Sequence, residues 1–191
     1  GEGGMALEDE RIMDLLFARS EDGIREMEEK YGVRCRKLAG NILGNDRDAE
    51  ECVNDAYLGV WNTVPPKRPG SLPAYLFGIV RNRSAARYHA NRAKKRNSFY
   101  DAVLDELAEC IPSGDGVEDE VLAGELAGLL NVFLGSLKRE DRVLFMCRYW
   151  YSDSVSELAV RLGMSGSRVS VRLYRLRDRL RRFLEKEGYV I

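Results

Sequence analysis

Residues 154–177 read SVSELAVRLGMSGSRVSVRLYRLR, and this stretch decides the kind of fold the chain carries. Ser154 followed three residues later by Glu157 is a capping box, the reciprocal hydrogen-bonding pattern that opens a helix. Leu158, Ala159 and Leu162 give that helix an apolar face, and Gly163 supplies the left-handed residue that ends it. Ser165 then caps a longer helix, expected over 166–187. Along it Val169, Leu173, Leu176, Leu180 and Phe183 alternate steps of four and three, which predicts a buried stripe. Arg168, Arg172, Arg175, Arg179 and Arg182 follow the same steps on a neighbouring face. A short helix, a glycine turn and a long helix with a basic stripe form a helix-turn-helix suited to a major groove. The first turns of its second helix reach base edges, and arginines further down hold phosphates. A solvated arginine-rich helix in an ordinary bundle is the competing reading, and the near absence of acids along the stripe argues against it.

Charge is segregated along the rest of the chain as well. The whole sequence of 191 residues carries a formal net charge of only −1. Yet residues 72–96 hold Arg81, Arg83, Arg87, Arg92, Lys94, Lys95 and Arg96 with no acid, and residues 97–125 hold nine acids with no base. A third block, 161–182, sets eight arginines against the single acid Asp178. Two basic blocks flanking an acidic one suit a protein that meets nucleic acid in two places. Hydrophobic residues at 45% and charged residues at 32% describe a globular chain with true cores, long enough for two small domains.

Periodicity is helical almost throughout. Helices are expected over 5–19, 22–43, 48–61 and 73–95, then over 118–135, 138–149 and 154–162. Ala49, Cys52, Val53, Ala56, Tyr57 and Val60 form the buried stripe of the third, which Asp46 or Asp48 can cap. Three prolines and a glycine in Pro65-Pro66-Lys67-Arg68-Pro69-Gly70 exclude helix and central strand, leaving an exposed, slightly basic loop. The expected fold is all-α: two small helical domains, 5–96 and 118–191, joined by a flexible acidic linker over 97–117.

The second domain resembles region 4 of the extracytoplasmic-function sigma factors of the sigma-70 family. Arg148-Tyr149-Trp150, Ser154, Glu157-Leu158-Ala159 and Leu162-Gly163 fall where that family has "RYF…S..EIA..LG". Val169, Arg172-Leu173, Arg175, Arg177 and Arg179-Leu180 fall on its "TVKSRLxRARxRL" helix. The first domain independently resembles region 2. Asp48-Ala49-Glu50-Glu51, Asn54-Asp55-Ala56-Tyr57-Leu58 and Trp61 follow its "DAEDxxQExFLxxW" helix, and Leu72, Ala74-Tyr75-Leu76, Ile79 and Arg81-Asn82 follow its "FxxWLxxIaxN" segment. The sequence departs from the family at Arg168, Ser170 and Val171, which implies a different target preference. Ser152-Asp153 stands where the family has a glycine followed by a hydrophobe, and Tyr75 where it has tryptophan.

The resemblance implies promoter reading in two places. Ser165, Ser167, Ser170, Val171, Tyr174 and Arg175 are the candidates to approach a minus-35 duplex, with Arg168, Arg172 and Arg179 holding phosphates. Lys67, Arg68, Arg81, Asn82, Arg87 and Arg92 are the candidates for a melted minus-10 strand. Asp48, Glu51, Asn54, Asp55 and Leu58 are the candidates for gripping the clamp region of core RNA polymerase, with Trp61 buried. It also implies an anti-sigma partner, and a linker threading towards the polymerase active site and RNA exit path. Separately, the acidity of that linker, with Asp101, Asp105, Glu106 and Glu109, is expected to mimic nucleic-acid charge and keep it off the basic DNA-binding surfaces.

Other classes fit less well. A stand-alone helix-turn-helix regulator accounts for 154–182 but leaves the first domain unexplained. An enzyme acting on nucleic acid, or on a small-molecule substrate, finds little support: there is one histidine, no clustered metal-ligand spacing and no glycine-rich phosphate loop. Neither cofactor nor metal is expected. Cys35, Cys52, Cys110 and Cys147 lack zinc-site spacing and read as free thiols among apolar residues. Gly1–Gly4 before Met5 reads as foreign to the domain. With no signal-peptide pattern and no apolar run long enough to span a bilayer, a cytoplasmic protein, monomeric when free, is expected.

Overall fold

The computed structural model describes residues 7–91, 98–112 and 120–191, and every regular element among them is helical. The chain divides into two units, Gly1–Ser98 and Phe99–Ile191.

The first unit is built from α1 (Asp9–Phe17), α2 (Asp22–Leu43), α3 (Asp46–Thr63) and α4 (Leu72–Ala90). The stripe expected on α3, Ala49, Cys52, Val53, Ala56, Tyr57 and Val60, is its buried face, residue for residue. It packs on Met27, Tyr31, Cys35, Leu38 and Ile42 of α2 and on Leu76, Phe77 and Val80 of α4, while Ile12, Met13 and Leu16 bring α1 onto α2. Gly44 turns the chain out of α2 with φ at 65°, a left-handed conformation in which a side chain is strained. Asn45, rather than Asp46 or Asp48, is the cap of α3: its side chain accepts from the amides of Arg47 at 2.9 Å and Asp48 at 3.1 Å. The carboxylates of Asp46 and Asp48 sit in the first turn, where they complement the helix dipole. Ser71 caps α4, and Pro73 lies in its first turn.

The second unit contains α5 (Phe99–Ala108), α6 (Glu120–Ser136), α7 (Arg139–Phe145), a π-helical turn (Met146–Trp150), α8 (Val155–Leu162) and α9 (Gly166–Lys186). Two expectations change here. The helix anticipated over 138–149 loses its α character at Met146 and continues as the π turn. The stretch read as a flexible linker begins with α5, which buries Tyr100 and Val103 and is followed by the buried Cys110. Two of its acids, Glu106 and Glu109, are paired with arginines of the same unit rather than left to solvent.

The reason lies in Arg148, whose side chain is only 5% exposed. A buried guanidinium must be paired and fully hydrogen-bonded to be tolerated. Its Nε and Nη2 donate to the two carboxylate oxygens of Glu106 at 3.1 and 2.8 Å, and Nη1 donates to the carbonyl of Asp153 at 2.8 Å. This fork places α5 against the π turn and fixes the chain entering α8. Glu109 takes part by accepting from Arg177 at 3.3 Å. Burial pushes the Glu106 carboxyl up, but the hydrogen bond and charge of Arg148 outweigh that and hold it below its ordinary value of 4.5.

Two predictions follow from these local arrangements. A carboxyl whose folded pKa is depressed adds stability above its unfolded pKa and loses it as the pH falls through the folded one. Denaturant melts of the Phe99–Ile191 unit within the full chain are therefore expected to show falling stability below about pH 4.5, with Glu106→Gln both less stable by about 3 kcal/mol at pH 7 and flatter over the acid limb. At Ser152, fully buried with φ at +58°, the hydroxyl has no hydrogen-bond partner. Ser152→Gly is expected to raise stability by about 1 kcal/mol by relieving the left-handed strain, read as a higher Tm.

Candidate nucleic-acid interface

The helix-turn-helix forms as its capping signals dictate. Ser154 Oγ accepts from the Glu157 amide at 3.2 Å, and Glu157 Oε2 accepts from the Ser154 amide at 3.3 Å. Gly163 adopts a φ of 62°, and Ser165 Oγ accepts from the Arg168 amide at 3.2 Å to open α9. Leu158 is buried, whereas Leu162, expected on the same apolar face, is exposed at the helix end. On α9 the buried line is Val169, Leu173, Leu176, Leu180 and Leu184. Phe183 is half-buried instead, its ring 5.8 Å from that of Phe133.

This burial leaves Ser165, Ser167, Arg168, Ser170, Val171, Tyr174, Arg175 and Arg179 exposed along α9. Ser167, Arg168, Val171, Arg175 and Arg179 border an open groove of about 700 Å³ that Lys138 also lines. The basic face is not uniform, and the assumption that it lacks counter-charges needs correction. Arg168, Arg175 and Arg179 have no carboxylate partner among the described residues. Arg172 does: its Nε lies 2.8 Å from Asp141 Oδ1 and its Nη2 3.3 Å from Glu140 Oε2, both on α7. Arg177 faces inward, donating to Tyr149 Oη at 2.8 Å beside Glu106. Arg182 pairs with Asp178 at 2.9 Å. The arginines of α9 thus divide into those that fix the helix and those left open to an anion.

In the first unit the two expected surfaces touch. Arg87 on α4 donates to Glu51 on α3, and Asn91 donates to Asp48 at 3.3 Å. A candidate for the melted strand and a candidate for the clamp are therefore hydrogen-bonded to each other. Asn54, Asp55 and Leu58 stand exposed on α3, and Asn54 and Leu58 line a shallow groove of about 530 Å³ with Ile24, Glu28 and Trp61. Trp61, expected to be buried, is half-buried; Arg19 stacks on its ring at 3.8 Å and donates to its carbonyl. Lys67 and Asn82 are exposed and Arg81 half-buried. Arg68 pairs with Glu10 at 2.7 Å and Asp14 at 3.2 Å of α1. Arg92 lies outside the described residues. Phe77 is core, edge-on to Tyr31, while Tyr75 is half-buried with its hydroxyl 2.8 Å from Thr63 Oγ1.

Periodicity missed Asp141, Glu140 and Arg19, because their partners lie 31, 32 and 42 positions away. Of the four cysteines, all free, Cys35, Cys52 and Cys110 are buried and Cys147 half-buried. Burial pushes the Cys35 thiol up to about 12, too high for a nucleophile or a metal ligand at neutral pH. Among the described residues no group of His, Cys, Asp and Glu could hold a metal, and no helix is long and apolar enough to cross a membrane.

Residues 28–94, which cover α3, most of α2 and all of α4, match the sigma-70 region 2 family. Over 164 residues, 85% of this chain, the sequence is 25% identical to the extracytoplasmic-function RNA polymerase sigma factor SigE of Mycolicibacterium smegmatis. The first unit thus carries a sigma-70 region 2. The chain spans 62% of the length of that SigE relative. Among solved structures, CnrH in complex with the cytosolic domain of CnrY is 19% identical, with a TM-score of 0.45, covering 94% of this chain and 99% of that one. The region 2 match contains every described candidate of the first unit, Asp48, Glu51, Asn54, Asp55 and Leu58 as well as Lys67, Arg68, Arg81, Asn82 and Arg87.

The division of the α9 arginines gives a paired prediction. Arg177→Ala removes a guanidinium that serves Tyr149, Glu106 and Glu109 and is expected to cost about 2 kcal/mol of stability. Arg175→Ala is expected to leave Tm unchanged and to weaken duplex binding. Melting curves and gel-shift titrations on the same samples read both.

Proposed function

We propose that this chain directs RNA polymerase to promoters, with each unit assigned one of the tasks that initiation requires. The reading is carried by the combination, in one chain, of a sigma-70 region 2 with a helix-turn-helix whose long helix leaves Arg168, Arg175 and Arg179 open. The helix-turn-helix, within the proposed region 4 of residues 118–191, reads a minus-35 element as duplex. Ser170, Val171, Tyr174 and Arg175 approach base edges, and Arg168 and Arg179 hold phosphates. A bidentate arginine contact with guanine is worth about 1–3 kcal/mol of discrimination, and Val171 can meet a thymine methyl.

The first unit, residues 5–96, takes the minus-10 element as a melted strand. Flipping a base out of the stack costs a few kcal/mol, so the strand must be held as it opens. Lys67, Arg81, Asn82 and Arg87 supply cations and hydrogen bonds for its backbone, and Arg92 extends the basic block. Arg68 must first release Glu10 and Asp14 of α1 to join them. On α3 the acids make a poor DNA surface. Asp48, Glu51, Asn54, Asp55 and Leu58 instead suit a basic and apolar patch on the clamp region of core polymerase. An anti-sigma protein is the partner that the family resemblance adds, and the cytoplasm is where all of these partners would be met.

In vitro transcription tests the proposal: purified chain, bacterial core polymerase and a genomic promoter library, with transcripts mapped. Starts at a shared two-element promoter, present only with this chain and lost in Arg175→Ala, are expected. Absence of core binding and of new starts, with duplex binding intact, would leave a stand-alone regulator instead.

A further inference from the structure

We infer that Arg172 is a positioning residue for the reading helix, held by Asp141, and makes no phosphate contact. The inference rests on the reading of α9 as the duplex-reading helix and specifies how that helix is aimed.

Arg172 lies in the middle of the basic stripe and by spacing alone belongs with Arg168, Arg175 and Arg179. Its surroundings set it apart. The side chain is 30% exposed and Asp141 is 21% exposed, so the pair is shielded, and Glu140 stands in solvent at 84%. Nε and Nη2 are directed to two different carboxylates on the first turn of α7. The trio keeps a net negative charge. A phosphate approaching Arg172 must displace a partner and lie beside two carboxylates, which like-charge repulsion opposes. Arg168, Arg175 and Arg179 impose no such cost.

The same pair is well placed to set the rotation of α9. It ties the first turn of α7 to the middle of α9, beside the buried Val169, Leu173 and Leu176. Ser170, Val171 and Tyr174 flank Arg172 in sequence and carry the exposed reading positions. A helix free to turn about its axis moves all three together relative to a base pair, so loss of the tie should degrade base discrimination without removing a DNA contact. Asp141 then governs specificity from a position that never touches DNA.

The sign of one substitution separates the two roles. If Arg172 held a phosphate, Asp141→Asn would free it, remove a negative charge near the duplex and tighten binding. As a positioning pair, Asp141→Asn is expected to weaken specific binding roughly tenfold and to narrow the gap between preferred and mismatched duplex. The experiment uses the full chain with core polymerase on a minus-35 duplex that the wild-type holoenzyme selects from a random library, titrated across a salt series. Arg172→Gln is expected to match Asp141→Asn in size, with the slope of log affinity against log salt unchanged, and the double variant to be no worse than either. Arg179→Gln is the control for a phosphate contact and is expected to reduce the slope by about 0.9. Asp141→Glu, which restores a carboxylate, is expected to recover discrimination. Tighter binding by Asp141→Asn, or a slope lowered by Arg172→Gln, would overturn the positioning role while leaving the duplex reading intact. A wild-type holoenzyme that selects no duplex element would overturn the reading itself and the inference with it.

Discussion

Arg148 has to be neutralised inside the protein, and the second unit is arranged around that requirement. A guanidinium removed from water tolerates no unsatisfied nitrogen, and here Glu106 and the Asp153 carbonyl together occupy Nε, Nη1 and Nη2. The carboxylate comes from α5, so an acidic stretch that would otherwise favour water is drawn into a helix against the π turn. The carbonyl belongs to the residue just before the Ser154 cap, so the same fork sets where the helix-turn-helix begins. Ser152 accepts a left-handed backbone and an unpartnered hydroxyl within this corner.

From that anchor the arginines of α9 sort themselves. Five apolar residues bury one side of the helix, and what remains must either find a carboxylate or stay in solvent. Arg177 joins the Glu106 cluster, Arg172 reaches α7, and Arg182 is met by Asp178 within the same helix. Arg168, Arg175 and Arg179 are left as open cations beside Ser170, Val171 and Tyr174. A uniform basic helix would bind any polyanion. One whose cations are partly consumed presents a smaller, aimed set, and specificity in DNA reading depends on aim as well as on charge. The first unit shows the same economy, with Arg87 and Glu51 satisfying each other between α3 and α4.

Much of this is legible in the sequence wherever the signal is local. The stripe on α3 is buried without exception, the capping box at Ser154 closes as its spacing requires, and Gly163 ends α8 in the left-handed conformation. Signals fail where the decisive partner is remote. Glu106 and Arg148 are separated by 42 positions, and nothing in the periodicity of either segment announces the other. Acidity over 97–117 therefore reads as solvation, although Tyr100, Val103 and Cys110 already hint at a buried side. The cap of α3, expected at Asp46 or Asp48, falls on Asn45 because all three have suitable side chains, and only backbone geometry chooses among them. The candidate surfaces are legible as lists of exposed polar residues, but which of those residues are already engaged with one another is not.

Native-state hydrogen exchange on the full chain tests the Arg148–Glu106 anchor most directly. If the pair makes α5 part of the second unit, amides from Tyr100 to Ala108 should open with the same free energy as those of α9, as one cooperative element. Exchange of α5 at the rate of an unsupported short helix, while α9 stays protected, would contradict the anchor and return residues 99–112 to the role of a linker.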